Sequence, residues 1–152
     1  MESSPEATVR RAELERAAPM RPRGLWLRTT WNGKDVVFLC GTLGAEFDAW
    51  QRALAATSAA DAYLAQRIGL DAVEREMDAL EAEAKAKVED EGLTLLPRRS
   101  PGYGDLPLDL SREIVRRLDA TKRIGVSVTD SDLLVPAKSV TAICDLEHKS
   151  IS

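Results

Sequence analysis

The stretch LWLRTTWNGKDVVFLC, residues 25–40, has the pattern of a β-hairpin. Its two halves are rich in the β-branched, aromatic and aliphatic residues that are common in strands. Between them stands Asn32-Gly33, the dipeptide that most readily adopts the positive φ angles of a tight two-residue turn. We therefore predict strands at about 25–31 and 35–41. The alternation in the first strand is imperfect, so its register stays open.

Helical patterns flank this hairpin. Residues 1 to about 5 are expected to form a loose tail, and residues 5–18 are rich in helix formers until a run of prolines and a glycine stops them. After the hairpin, Phe47, Trp50 and Leu54 follow at helical spacing. Such a stripe predicts an amphipathic helix that packs one apolar face inward.

Residues 58–91 form the longest periodic stretch and predict a long helix. Ser58 and Asp61 resemble a capping pair, and Gly92 suits the left-handed residue that follows a helix end. Gly69 costs about 1 kcal/mol relative to alanine, so it is expected to be a weak point that divides the helix in two. The apolar positions that share nearly one face are Leu64, Ile68, Val73, Met77, Leu80, Ala84 and Val88.

The last third of the chain favours β structure. LTLLPRRS predicts a short strand, and LSREIVRRLDAT predicts a helix capped by Asp109 or Ser111. Apolar residues then alternate over 124–146, from Ile124 onward, with an edge or turn at Pro136. Because strands and helices do not alternate regularly, we predict an α+β fold with a mostly antiparallel sheet and flanking helices, as one domain over residues 1–152.

Composition bounds the class of protein. The chain has 152 residues, 44% of them hydrophobic, and a net charge of −4, which argues against nucleic acid or an anionic membrane as a partner. No apolar run reaches the roughly 18–20 residues that span a bilayer, and residues 1–11 lack the apolar core expected of a secretion signal. We therefore expect a cytoplasmic protein with Cys40 and Cys144 reduced and buried. These cysteines and His148 lack metal-ligand spacing, so no metal site is predicted.

Few residues have the pattern of a catalytic site, and none is predicted to be catalytic. His148 is interpreted as a solvated side chain near the chain end, and no Gly-x-Ser-x-Gly motif is present. The tryptophans are interpreted as packing residues. The acidic residues between 74 and 91 are interpreted mainly as the wet face of the long helix, although they could offer carboxylates to a ligand.

The stretch RRSPGYGDLPLDL, residues 98–110, is the strongest candidate site. Gly102 lets the backbone approach a ligand closely. Arg98 can bind a carboxylate through two parallel hydrogen bonds, and Tyr103 offers a ring face and a hydroxyl. These groups suit a small zwitterionic ligand with a carboxylate and a flat ring. Composition alone also allows a plain loop of glycines and prolines.

RRSPGYGDLPLD, followed by IGVSVTDSDLLVPAKSVTAI, resembles the activation (reactivation) domain of cobalamin-dependent methionine synthase. That family has an Arg-x-x-x-Gly-Tyr signature, then an IGV-x-LT-x-S segment, a proline, and SVS or SVT. The resemblance is good over residues 92–146 and looser in VVFLCGTLGAEFDAW and LDAVEREMDALEAE. It implies a twisted antiparallel sheet with helices and a groove that binds S-adenosylmethionine.

The resemblance also implies a set of ligand-binding residues. Arg98 takes the place of the family arginine that binds the methionine carboxylate. Ser100, Gly102 and Tyr103 provide main-chain and aromatic contacts. Arg99 is out of frame for this role and is expected to be a solvated neighbour.

Carboxylates complete the family's pattern around the positive groups of the ligand. Glu74 and Glu76 are both candidates for the carboxylate on the helix. The second family carboxylate falls at Gly92 of this chain, where Glu89 or Glu91 could substitute. Full-length family members continue with a segment that helps to cover the ligand, so weak binding is expected.

The function implied is an S-adenosylmethionine-binding accessory module in methionine biosynthesis. In the family, a methyl group from S-adenosylmethionine and one electron from a flavodoxin-like donor return cob(II)alamin to methylcobalamin. The expected partner is a separate cobalamin-binding methionine synthase that lacks its own activation domain, with a flavodoxin-like reductant. The alternative is a non-catalytic binding or structural protein that keeps the fold and has lost the ligand. Whether the chain acts as an enzyme component stays open.

Overall fold

The hairpin forms as predicted in the computed structural model, which describes residues 4–148. Strand β1 (Arg23–Trp31) pairs antiparallel with β2 (Lys34–Thr42). At the turn, φ is 53° at Asn32 and 76° at Gly33. Both angles lie in the left-handed region that a tight primed turn requires. The two-residue turn therefore sets the register that the sequence left open.

The hairpin belongs to an antiparallel sheet. Strand β6 (Ser139–His148) lies beside β2, and the short strand β3 (Leu93–Leu95) lies beside β6, so the order is β1-β2-β6-β3. The two-residue strands β4 (Ser127–Val128) and β5 (Leu134–Val135) form a separate antiparallel pair. This sheet with flanking helices confirms the predicted α+β class.

The helices are α1 (Pro5–Ala17), α2 (Ala45–Ala55), α3 (Ala59–Asp90), α4 (Leu110–Leu118) and α5 (Ala120–Ile124). The Oγ of Ser4 accepts a hydrogen bond from the backbone N–H of Ala7 and caps α1. Residues 4 and 5 therefore belong to the start of a helix rather than to the expected tail, and residues 1–3 lie outside the described part. Over residues 4–148, no helix combines the length and the apolar character needed to cross a membrane.

Helices cover both faces of the sheet. Along β2, Val36, Phe38 and Cys40 pack in the same core cluster as α4. The alternate residues Val37 and Leu39 pack in the cluster that contains α3. Because both faces are buried, β2 is a continuous apolar run and lacks the polar alternation of a half-exposed strand.

The cysteines lie on opposite faces of this sheet. Cys40 belongs to the α4 side and Cys144 to the α3 side, and both are free thiols. Burial raises the pKa of each thiol to about 12, so both stay protonated at neutral pH. The interpretation of both residues as small buried apolar side chains is confirmed.

Helix α3 runs unbroken through Gly69, so the expected division does not occur. A Cβ at Gly69 would lie 2.7 Å from Cε1 of Phe47, which means that the missing side chain leaves room for a ring of α2. The cost of glycine in a helix is thus offset by close helix–helix packing. Both predicted ends are confirmed, because Ser58 Oγ accepts from the N–H of Asp61 and φ at Gly92 is 83°.

Two local predictions in the last third are wrong or only half right. Ile124 is the last residue of α5 rather than the start of a strand, because Gly125 adopts a left-handed φ of 74° and ends that helix. Asp109 is the N-cap of α4 but makes no side-chain capping bond. The hydroxyl of Ser111 is instead buried, 2.8 Å from Oγ1 of Thr141 on β6.

Candidate functional site

The candidate segment, residues 98–110, leaves the edge of the sheet beside β6. Arg99 still pairs with this strand: its N–H donates to the carbonyl of Ile143 at 2.8 Å, and the N–H of Ile143 donates back at 2.9 Å. Successive residues of extended chain point to opposite faces. Arg98 consequently points to the α3 side of the sheet, and Arg99 points to the α4 side.

After Arg99 the chain folds into a compact turn. The N–H of Gly102 donates to the carbonyl of Leu106, and the N–H of Leu106 donates to the carbonyl of Tyr103. Gly102 and Gly104 have φ angles of 90° and 60°, which residues with a side chain rarely adopt. The glycines are therefore required by the backbone path of the turn, whatever contact they make with a ligand.

Arg98 is held by three carboxylates of α3. Its Nη1 lies 2.8 Å from Oδ1 of Asp78 and 2.7 Å from Oε1 of Glu81, and its Nη2 lies 2.8 Å from Oε2 of Glu74. The Arg98 side chain is 21% exposed, and Glu81 is also half-buried. Burial lowers the pKa of Arg98, but hydrogen bonds to the three carboxylates outweigh it and raise the pKa above its ordinary value.

This group of four residues, the Arg98 cluster, carries a formal charge of −2, from one guanidinium and three carboxylates. Glu74 and Asp78 are exposed and keep lone pairs free on the solvent side. An approaching carboxylate would meet the negative charge of these two side chains before it reached Arg98. A positively charged group, by contrast, can bind directly to the exposed carboxylate oxygens of Glu74 and Asp78.

The structure distinguishes between the candidate helix carboxylates. Glu74 contacts Arg98, whereas the side chain of Glu76 lies beside Gly41 on β2. Near the other end of α3, Glu91 binds Arg28 through a 3.0 Å ion pair. Of Glu74, Glu76 and Glu91, only Glu74 is therefore placed beside Arg98.

Sequence reasoning missed Asp78 and Glu81 as partners of Arg98. The signal was present, because Glu74, Asp78 and Glu81 are spaced i, i+4 and i+7, which places them on one face of a helix. Only the packing of α3 beside residues 98–110 shows which cation that face meets.

The remaining ligand-binding predictions lie along the same segment. Tyr103 is 75% exposed, and Ser100 is half-buried. Arg99 is exposed and binds Asp145 at 3.1 Å, so it is a surface ion-pair residue on the face opposite Arg98. Arg98 and Arg99 cannot bind the same ligand group. The ligand contacts of Arg98, Ser100, Gly102 and Tyr103 stay predictions.

His148 and the three tryptophans, which were considered from the sequence, lie in a strand and in the core. His148 is exposed and is the last residue of β6, opposite Leu93, so it lies in a strand. Trp26, Trp31 and Trp50 each pack against one of the three apolar clusters of the core. Among the described residues, 4–148, no group of histidine, cysteine and acidic side chains could hold a metal ion.

The fold resembles a domain of known structure. The crystal structure of the MetH reactivation domain bound to AdoHcy matches this chain with a TM-score of 0.70 and 15% sequence identity. The match covers 97% of this chain but only 65% of that one. The two chains share a fold. No protein-family model matches the chain, and a search of curated proteins finds no match.

Proposed function

We propose that the protein is an accessory module that binds S-adenosylmethionine and supports the reductive methylation of a cobalamin held by a separate methionine synthase chain. The observation that carries this proposal is the fold shared with a reactivation domain bound to AdoHcy. In this chain, Arg98, Gly102 and Tyr103, which match the Arg-x-x-x-Gly-Tyr signature, lie in the segment that leaves the sheet beside β6.

The charge of the Arg98 cluster supports a cationic ligand. S-adenosylmethionine carries an ammonium, a sulfonium and a carboxylate, so it has one net positive charge. Glu74 and Asp78 can accept hydrogen bonds from the ammonium group, and Arg98 can donate its remaining N–H groups to the carboxylate. Tyr103 is free to stack its exposed ring on the adenine.

The chain's own contribution is to bind and orient the methyl donor. A cobalamin held by the partner would supply the methyl acceptor: with one electron from a flavodoxin-like reductant and the methyl group of S-adenosylmethionine, cob(II)alamin would return to methylcobalamin and leave AdoHcy. The turn of residues 98–110 is already fixed by its own hydrogen bonds, so little entropy is lost when it contacts a ligand or partner.

The Arg98 cluster also favours a second function. The guanidinium already has three carboxylate partners. In this alternative, the sole role of Arg98 is to hold residues 98–110 against α3. The protein would then be a non-catalytic binding or structural protein that keeps the fold and has lost the ligand. Ligand titration separates the two functions.

Isothermal titration should show weak binding of S-adenosylmethionine and about fivefold weaker binding of AdoHcy. The reason is that AdoHcy lacks the sulfonium charge, whose attraction to a carboxylate about 4 Å away is worth about 1 kcal/mol in water. Added salt should reduce the difference by screening. Absence of heat with either ligand up to millimolar concentration, with or without a cobalamin protein, would support the structural function instead.

Mixing the protein with a cobalamin-binding methionine synthase, S-adenosylmethionine and a one-electron reductant should speed the return of methylcobalamin in the visible spectrum. Tyr103→Ala should remove most of this gain, because the exposed ring lies at the proposed site. Tyr63→Ala is the matched control, since Tyr63 is 65% exposed on α3 and outside residues 98–110. If the wild-type protein causes no acceleration at saturating concentrations, the reactivation role is wrong.

A further inference from the structure

A cavity lies between α2 and the first half of α3. Its volume is about 530 Å³, within the range of small-molecule sites. The polar side chains that line it include Asp48, Gln51, Arg52 and Lys138. Leu70, which also lines the cavity, precedes Glu74 of the Arg98 cluster by four residues, or about 6 Å along the helix axis, but no residue belongs to both sets. The cavity is therefore a neighbour of the proposed S-adenosylmethionine site along α3, built from different residues.

Lys138 is a buried cation in the wall of this cavity. Its side chain comes from the turn before β6, and the residue is only 7% exposed. Nζ donates to Oε1 of Gln66 at 2.8 Å and to Oε1 of Gln51 at 3.2 Å. These partners are neutral amides rather than carboxylates. Burial lowers the pKa of Lys138, and the negative charge of the nearby Asp48, which is not hydrogen-bonded to it, offsets this only in part.

The ammonium group retains donor capacity. It has three hydrogens, and the two amide oxygens use two of them. Arg52 lines the same cavity from an exposed position on α2. Lys138 and Arg52 together can therefore bind an anionic group that enters between them, which a carboxylate does well.

Asp48, in contrast to Lys138, needs a hydrogen-bond donor. Its Oδ2 accepts a hydrogen bond from the N–H of Ala137 at 2.8 Å. Its Oδ1 is buried and has no hydrogen-bond partner among residues 4–148. A buried carboxylate oxygen without a donor is costly, and such exceptions in a folded protein call for a missing partner. A ligand that brings an N–H donor, together with a small shift of the Asp48 side chain, would supply one.

The other lining residues are apolar. Ala55, Ala62 and Leu70 form the walls between the charged groups, and Leu70 is itself partly exposed. An aliphatic side chain of a ligand would bury this surface at about 25 cal/mol per Å². The cavity thus has a place for a negative group, a place for a donor and a place for an apolar group.

We propose that this cavity binds a small α-amino acid with an apolar side chain. The ligand carboxylate binds Lys138 and Arg52, its ammonium donates to Oδ1 of Asp48, and its side chain packs on Leu70. The proposal does not depend on S-adenosylmethionine binding, because no residue lining this cavity belongs to the Arg98 cluster.

Titration with three related probes tests the pattern of contacts. L-leucine carries both charges, 4-methylpentanoate lacks the ammonium, and 3-methylbutylamine lacks the carboxylate. We expect L-leucine to bind with the highest affinity, and each analogue to bind at least about tenfold more weakly because it loses one charge-assisted contact. Equal affinities for all three, or no binding of any probe at millimolar concentration, would overturn the proposal.

Variants assign the contacts to residues. Lys138→Met keeps the length of the buried chain and should reduce L-leucine affinity at least about tenfold. Arg52→Met should reduce L-leucine affinity less. Because Arg52 is exposed, this variant should fold normally, so it tests the carboxylate contact even if Lys138→Met fails to fold. Asp48→Asn should also weaken L-leucine binding, since the amide keeps an acceptor for Ala137 but loses the charge.

The matched control is Lys122→Met, which removes an exposed lysine from α5. We expect it to bind L-leucine as the wild type does, and we expect Lys138→Met to bind S-adenosylmethionine as the wild type does. Unchanged L-leucine affinity in both folded variants, Lys138→Met and Arg52→Met, would exclude the proposed carboxylate contact.

Discussion

Replacing Phe47 with alanine is expected to lower the free energy of unfolding by about 3–5 kcal/mol, the usual cost of deleting a buried ring. Phe47 is fully buried on α2. Its ring sits over Gly69 of α3 and lies 5.4 Å from the ring of Trp50, between centroids. Removing it leaves a void that the unbroken α3 cannot close, because Gly69 has no side chain to fill it. Urea denaturation monitored by circular dichroism gives the measurement.

Phe47→Leu is the control for this variant. A leucine keeps most of the apolar volume and should cost about 1.5 kcal/mol or less. A loss below about 1 kcal/mol for the alanine variant would mean that α2 does not pack on α3 through this ring.

Replacing Arg98 with alanine is expected to cost about 2 kcal/mol of stability and, under the proposed function, at least a tenfold loss of S-adenosylmethionine affinity. The pair with the half-buried Glu81 contributes most, because Glu74 and Asp78 are exposed and their ion pairs are screened by water. The variant also leaves three acidic side chains close together without their shared cation. Chemical denaturation and isothermal titration measure the two effects separately.

Arg99→Ala is the matched control, since it removes the neighbouring arginine from the other face of the sheet. It should cost less than about 1 kcal/mol, because the ion pair with Asp145 is exposed. It should leave S-adenosylmethionine binding unchanged. Equal effects of the two variants would mean that the arginines act only through net charge. A stability loss in Arg98→Ala with unchanged ligand affinity would favour the structural function.

Elements with strong local signals could be predicted from the sequence. The Asn32-Gly33 turn, the long helix that starts at Ser58, and the glycine that ends it at Gly92 all form as predicted. In each case neighbouring residues carry the information, through turn conformation, hydrophobic period or capping. Ile124 shows where such reasoning fails. Ile124 begins an alternation of apolar residues that predicted a strand, but it also follows the buried Ala120 by four residues, which is the spacing of the short helix that Gly125 ends.

The candidate site was predictable only in part. The segment of residues 98–110 could be found by its composition and by its resemblance to a known family. The partners of Arg98 could not be chosen, because Glu74 and Glu81 are separated from it by 24 and 17 residues. The burial of Lys138 was even less predictable from the sequence. Nothing near Lys138 in the chain indicates that it is buried against Gln66, 72 residues away.

By itself, the sequence determined the α+β class, the hairpin, the long helix and the rigid turn with Arg98 and Tyr103. These features depend on backbone preferences and periodicity, which act over a few residues. The tertiary structure alone decided that Arg98 and Arg99 lie on opposite faces of the sheet, that three carboxylates surround Arg98, and that Lys138 enters a cavity beside Asp48. The reason is that burial and charge pairing depend on how α2, α3 and β6 pack together, and residues distant in sequence meet only in that packing.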